Sequence, residues 1–414
     1  MAEMRVVIAL AALWVGGLTI TPAVAEEIVT AADIFGEHSS GQQLKGWADG
    51  KITLRGKTLR TRNLDEILAI QFDRKPDSLS GGDSLVLMAS GDRYVISPIT
   101  VSNDVLTAAW KRNTAQPELK LPLESVAALI FDLPAAMIDR QRLFADFQTL
   151  PHGSDILFLA NGDKIMGDFK HMDQAFIELV RGSALLKIDR SQVRALRLNP
   201  DLTNRSKMEG RRILVTLVDG SHVIATNIEL HDREMEISFP LGQQIIVQAS
   251  FVAACQVYGQ NAIPLTDREP TDVTHESYLS TPWPLVRNAN VNYGPLALRG
   301  KEYPAGLGMH SRTSVTYHLS GDELEFRATV GVDDCSNGLG SVRFVVIVDD
   351  RRAWTSDEIT GQIAPIEIPP VPLRGAKSLT LFVDFGQMAD VSDYANWCDA
   401  TLIIDPKHTP QQFK

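Results

Sequence analysis

Leu85-Val86-Leu87-Met88-Ala89-Ser90-Gly91-Asp92 is an apolar run that leads into a glycine turn, and the chain contains it twice more. The other copies are Ile156-Leu157-Phe158-Leu159-Ala160-Asn161-Gly162-Asp163 and Leu214-Val215-Thr216-Leu217-Val218-Asp219-Gly220-Ser221. Apolar runs that end in such turns predict β-hairpins, because type I′ turns need residues that tolerate positive φ. Ala48-Asp49-Gly50-Lys51 reads as a degenerate start of a further unit.

A second motif closes each unit. Ile67-Leu68-Ala69-Ile70-Gln71-Phe72 lines up with Val126-Ala127-Ala128-Leu129-Ile130-Phe131. Val193-Arg194-Ala195-Leu196-Arg197-Leu198 and Val252-Ala253-Ala254-Cys255-Gln256-Val257 continue the series. Cys255 takes the slot of Ile70, Leu129 and Leu196, which makes it a small core hydrophobe rather than a reactive thiol. The turn glycines at 50, 91, 162 and 220 are unevenly spaced. Strict solenoids keep a tighter period, so the expectation is small SH3-like or meander β-units with insertions. In the largest insertion Ile138, Leu143, Phe144 and Phe147 recur at near-helical spacing. That predicts one amphipathic helix over an open sheet edge.

Beyond Tyr278 the pattern changes. Leu324, Phe326, Ala328 and Val330 alternate with polar residues, as in a strand with one wet face. Val342 to Val348, Leu379 to Val383 and Leu402-Ile403-Ile404 add further strands between Gly-, Asp- and Pro-rich turns. Such short strands without helical stretches predict a β-sandwich or jelly roll. The fold class is therefore all-β: repeated small β-units with one short helix, then a C-terminal jelly-roll β-sandwich. The expected boundaries are a signal peptide over 1–25, β-repeats over 26–134 and 153–260, a helical insertion over 135–152, a linker over 261–276 and the sandwich over 277–405.

At the N-terminus Arg5 precedes an apolar run, Pro22 breaks it, and Ala23-Val24-Ala25 offers a small-x-small cleavage pattern. This predicts export, with no membrane span in the mature chain and a periplasmic, cell-envelope or extracellular location. A net charge of −11 argues against nucleic acid, which selects a basic face. Of the three cysteines, Cys335 and Cys398 lie in one expected domain and could pair, since export permits disulfides. No G-x-S-x-G, H-E-x-x-H or P-loop occurs. Asp92, Asp163 and Asp219 sit beside turn glycines and read as solvated turn formers.

The last third also carries a family pattern. Tyr278-Leu279-Ser280 and Trp283 open it, followed by Gly306-Leu307-Gly308-Met309-His310-Ser311 and Ser314 to Gly321. Phe326 to Asp334, Gly340-Ser341-Val342-Arg343-Phe344, Leu379-Thr380-Leu381 and Asn396-Trp397-Cys398-Asp399-Ala400 complete it. In this order and spacing the region resembles the NPCBM modules, also called family 51 carbohydrate-binding modules. The resemblance implies a jelly-roll fold, galactose-type sugars as ligands, frequent company with glycoside hydrolases, and in some members a structural Ca²⁺.

A sugar site wants an aromatic ring beside planar polar groups. His310, Asp333, Asp334, Arg343, Asn396 and Trp397 are the candidate carbohydrate-binding residues. His310 and Trp397 sit on family motif positions. Each has a structural alternative: His310 could serve a buried carbonyl, Trp397 the core, and the two acids a turn or a metal. The expected function is an exported, non-catalytic glycan-binding protein of the bacterial envelope that needs no cofactor. An envelope scaffold that binds other proteins and a divergent glycoside hydrolase are the alternatives.

Overall fold

The structure is a computed structural model that describes residues 27–204, 210–240, 242–278, 282–387 and 389–406. The expected signal peptide lies outside the described residues. The chain is almost entirely β, with one α-helix among the described residues.

The N-terminal region comprises four units of one design. Each opens with a strand, meanders, makes a 3-10 turn, and closes with a strand that pairs back onto the opening one. Unit one runs from Ile28–Asp33 to Ile67–Phe72, and unit two from Leu85–Met88 to Val126–Ile130. Unit three runs from Asp155–Leu159 to Val193–Arg197, and unit four from Arg212–Leu217 to Val252–Tyr258. The 3-10 turns Leu64–Glu66, Leu123–Ser125, Arg190–Gln192 and Ala249–Phe251 precede the closing strands. Two have side-chain caps, with Asn63 accepting from the Asp65 N–H and Asp189 from that of Ser191.

The repeated closing motif has a tertiary purpose. Cys255 lies opposite Ile70, and Leu196 opposite Leu129, so the closing strands of units one and four pair, as do those of units two and three. Equivalent residues face each other about a local two-fold axis. Each closing strand thereby covers the free edge of its partner. Cys255 is fully buried in the core, and burial pushes its thiol well above its ordinary range.

The glycine turns differ from expectation. Gly91, Gly162 and Gly220 each donate their N–H to the residue three back, with φ of 99°, 94° and 87°. Among the three, the residue before glycine does not have positive φ. This is a type I turn with a left-handed glycine, which adds one residue to the loop, rather than type I′. The unit-one counterpart is Gly36, donating to Asp33 O at φ 86°. Asp49-Gly50 is instead the next hairpin along, between His38–Ala48 and Lys51–Arg55, so it is not a unit start. Asp92 and Asp219 are also buried rather than solvated. Asp92 accepts the Ile224 N–H, and Asp219 accepts the Trp110 Nε1–H at 2.8 Å.

The helix Met137–Thr149 packs Leu143, Phe144 and Phe147 against Leu85, Ile130, Ile156 and Phe158. It covers a sheet face rather than an edge, because these sheets are apolar on both sides.

The C-terminal region is a two-sheet sandwich. One sheet contains Val286–Arg287, Gly306–His310, Tyr394–Ile404 and Glu323–Val332 in spatial order. The other contains Asp272–His275, Thr313–His318, Ser378–Phe385, Ser341–Val348 and Arg351–Thr355. Residues 261–276 are not a free linker. Ala262–Pro264 pairs with Tyr394–Ile404, Asp272–His275 pairs with Thr313–His318, and Leu265 is buried in the sandwich core.

The two regions are bound by polar contacts. Glu302 of the sandwich meets Arg93 at 2.5 Å and His222 at 3.5 Å. Arg327 donates to the carbonyls of Asp33 and Ile34, and Arg212 pairs with Asp267.

Candidate functional site

Three aromatic rings meet at one end of the sandwich. His310 ends its strand directly opposite Tyr394, which begins the neighbouring one. Trp283 comes in on the segment before Val286 and stacks flat on His310, with centroids 4.4 Å apart and planes 1° apart. The Tyr394 ring lies 5.7 Å from Trp283 and 6.0 Å from His310. His275, from the facing sheet, meets His310 edge-on at 6.1 Å and faces the Thr313 hydroxyl at 3.0 Å.

Trp283 and Tyr394 are half-buried, whereas His310 is buried. Burial lowers the His310 pKa to about 4, so the imidazole is neutral at pH 7. Its Nδ1 faces the Ser311 hydroxyl at 3.4 Å. Asp393, fully buried alongside, accepts the Ser341 N–H at 2.8 Å, and burial raises its pKa to about 6. Farther out, the exposed Tyr278 packs edge-on against Phe385 at 5.9 Å. Arg312, paired with Glu276 and Asp384, lies over the Phe385 ring at 5.7 Å.

His310 stacks on one face of the half-buried indole. A phenol and a neutral imidazole stand beside it. Such a set suits an uncharged, hydroxyl-rich ligand that offers C–H faces to rings and hydroxyls to polar atoms.

Of the six sequence candidates, only His310 belongs to this cluster. Trp397 is core: it is fully buried and packs against Phe344 at 5.1 Å and Phe326 at 6.2 Å. Asp333 and Asn396 form a buried knot. The Asp333 carboxylate accepts from Asn290 Nδ2 at 3.1 Å, Cys335 N at 2.9 Å, Ala297 N at 3.0 Å and Asn396 Nδ2 at 2.5 Å. Asp334 accepts the N–H groups of Arg299 and Gly300, both at 2.7 Å. Arg343 extends from the other sheet toward Glu358 at 3.7 Å and is half-exposed.

The carboxylates of Asp333 and Asp334 are engaged by N–H donors. Among the described residues no group of three or more His, Cys, Asp or Glu is placed to hold a metal ion. Nor do Cys335 and Cys398 pair: both are free thiols. Cys335 Sγ faces the amides of Asn290 and Asn292, while Cys398 packs with Leu296, Leu298 and Tyr303. Sequence reasoning did not group Trp283 and Tyr394 with His310. The signal for Trp283 was its place in the opening family motif, in the segment just before the strand Val286–Arg287.

Residues 263–403 match the NPCBM/NEW2 domain family. A protein of Renibacterium salmoninarum, named as a candidate endo-alpha-N-acetylgalactosaminidase, is 32% identical over 116 residues. The match covers 28% of this chain but only 8% of that protein, so the chain spans a small fraction of this curated relative. Among solved structures, the CBM51 of Clostridium perfringens GH95 in complex with methyl-galactose is 26% identical, with a TM-score of 0.31. It aligns with 34% of this chain and 99% of its own. The tandem CBM51 modules of the family 98 glycoside hydrolase of Streptococcus pneumoniae SP3-BS71 are 16% identical, with a TM-score of 0.29. They align with 61% of this chain and 89% of their own.

Proposed function

We propose that this chain, whose C-terminal domain is an NPCBM domain, is an exported, non-catalytic carbohydrate-binding protein of the bacterial envelope. Its ligand is a galactose-type or related neutral glycan, held at the end of the sandwich. The observation that carries this reading is the Trp283–His310–Tyr394 cluster, half-buried in a domain of a carbohydrate-binding family. Trp283 is the platform for the sugar's C–H face, and Tyr394 and His310 supply hydrogen bonds. The N-terminal pattern from Arg5 to Ala25 supports export. The non-catalytic reading is supported by the engagement of two buried carboxylates. Asp333 holds four N–H donors, and Glu302 pairs with Arg93 and His222.

A glycan array probed with the full chain tests this. Binding to galactose-terminated glycans is expected, and Trp283→Ala should weaken it at least tenfold, about 1.4 kcal/mol. That variant should melt within about 1 kcal/mol of the parent, since it removes a half-buried ring. A folded protein that ignores every glycan would leave the envelope scaffold as the function. Release of reducing sugar by the full chain would overturn the non-catalytic part.

A further inference from the structure

From His38 to Asn63 the chain holds Lys45, Lys51, Arg55, Lys57, Arg60 and Arg62 against one acid, Asp49, in a protein of net charge −11. The strands His38–Ala48, Lys51–Arg55 and Leu59–Asn63 of unit one border a cavity of about 270 Å³. Its apolar lining is Ala31 and Leu54, and its polar lining includes Ser39, Gln42 and Thr58. Lys57, Arg60 and Arg62 complete it, and no acidic side chain lines it. Arg60 and Arg62 are two residues apart on an edge strand, so they share one face of the sheet.

The three cations are not equivalent. Arg62 is fixed by Asp33 at 2.7 Å and Glu37 at 2.8 Å, which compensates its charge. Lys57 and Arg60 have no carboxylate partner among the described residues. Asp33 Oδ1 accepts the Phe35 N–H at 3.0 Å while Oδ2 holds Arg62, and Phe35 is 68% exposed. Two uncompensated cations, hydroxyl and amide groups and the apolar Ala31 and Leu54 match a saccharide that carries an anion.

We propose that unit one binds an acidic glycan in this cavity, separate from the neutral-sugar site of the sandwich. Lys57 and Arg60 pair with its carboxylate or sulfate, and Ser39, Gln42 and Thr58 with its hydroxyls. Inward-pointing charges can also serve only to guard a sheet edge against pairing with other chains. The experiment separates the two roles.

Calorimetric titration of the full chain uses a galacturonate trisaccharide, a sulfated chondroitin tetrasaccharide, a neutral galactose trisaccharide and inorganic sulfate. Binding of an acidic oligosaccharide that weakens with added salt is expected. The carboxylated and sulfated probes tell which anion is preferred. The double variant Lys57→Gln/Arg60→Gln should weaken acidic binding at least about tenfold, as should Ser39→Ala/Gln42→Ala on the neighbouring strand to a smaller degree. Trp283→Ala should leave it intact, so loss of the sandwich site and loss of this one are distinguishable. The proposal fails if neither acidic oligosaccharide binds, if inorganic sulfate binds as well as they do, or if Trp283→Ala removes acidic binding. It also fails if the double variant keeps its acidic affinity but forms larger oligomers, which would assign Lys57 and Arg60 to guarding the edge.

Discussion

The four N-terminal units repeat one design, while the sandwich uses each of its motifs once, and buried side chains are legible to different degrees in the two regions. In the units every position has siblings. Cys255 stands where Ile70, Leu129 and Leu196 stand, and it pairs with Ile70 across the local two-fold axis. Its role follows from its relatives. In the sandwich Asp333 has no sibling, and it gathers four N–H donors from three separate segments. Motif residues there mark the core as readily as the surface. Trp397 lies in the core and Trp283 at the rim, yet both belong to the same family pattern.

Trp397→Ala should break the contrast most strongly if it is wrong. Removing this fully buried indole should cost about 3–5 kcal/mol, read by denaturant unfolding. Cys255→Ala, equally buried but losing one atom, should cost about 1–2 kcal/mol by the same measure. Equal effects would mean that the sandwich core is no more particular than the repeats.

Glu302→Ala asks how far the two regions depend on each other. It leaves Arg93 without its carboxylate at the boundary, and a loss of about 2–3 kcal/mol is expected. Calorimetry should then resolve two melting transitions where the parent shows one. A single unshifted transition would show that the remaining contacts, among them those of Arg327 and Arg212, hold the regions together without Glu302.

Asp92 in the repeats and His310 in the sandwich should contribute to the pH dependence of stability with opposite sign. Burial raises the Asp92 carboxyl to about 6, so the native state keeps a proton that the unfolded chain gives up above about 4. That contribution is present at low pH and is lost as pH rises toward 6. Burial lowers His310 to about 4, so the native state refuses a proton that the unfolded chain takes up below about 6.5. That contribution is present above about 6.5 and is lost as pH falls toward 4. Relative to the parent, Asp92→Asn should gain stability from pH 4 to 7 and His310→Gln should gain as pH falls across the same range, each by about 2 kcal/mol. Parallel slopes would contradict both assignments.

The smallest effect lies within the repeats. Gly162 has φ of 94° and open space around its Cβ position, so Gly162→Ala should cost about 1 kcal/mol. At Gly220, with φ of 87°, a Cβ would also come within 2.9 Å of Asp77 O. Gly220→Ala should cost about twice as much, since backbone must shift as well. Equal costs would show that the turn alone sets the price.

By itself the sequence determined the all-β class, the repeating unit, the helix at Met137–Thr149 and the sandwich in the last third. These rest on local patterns: glycine at a turn, alternation along a strand, near-helical spacing of Leu143, Phe144 and Phe147. Tertiary structure alone decided which closing strands pair, that residues 261–276 join the sandwich sheets, and that Trp397 faces inward. It also decided that His310 finds its partners in Trp283 and Tyr394 rather than in Asp333 or Asn396. A period of two assigns a residue to one face of a strand, but which face is covered depends on the sheet packed against it, and that sheet is drawn from distant parts of the chain.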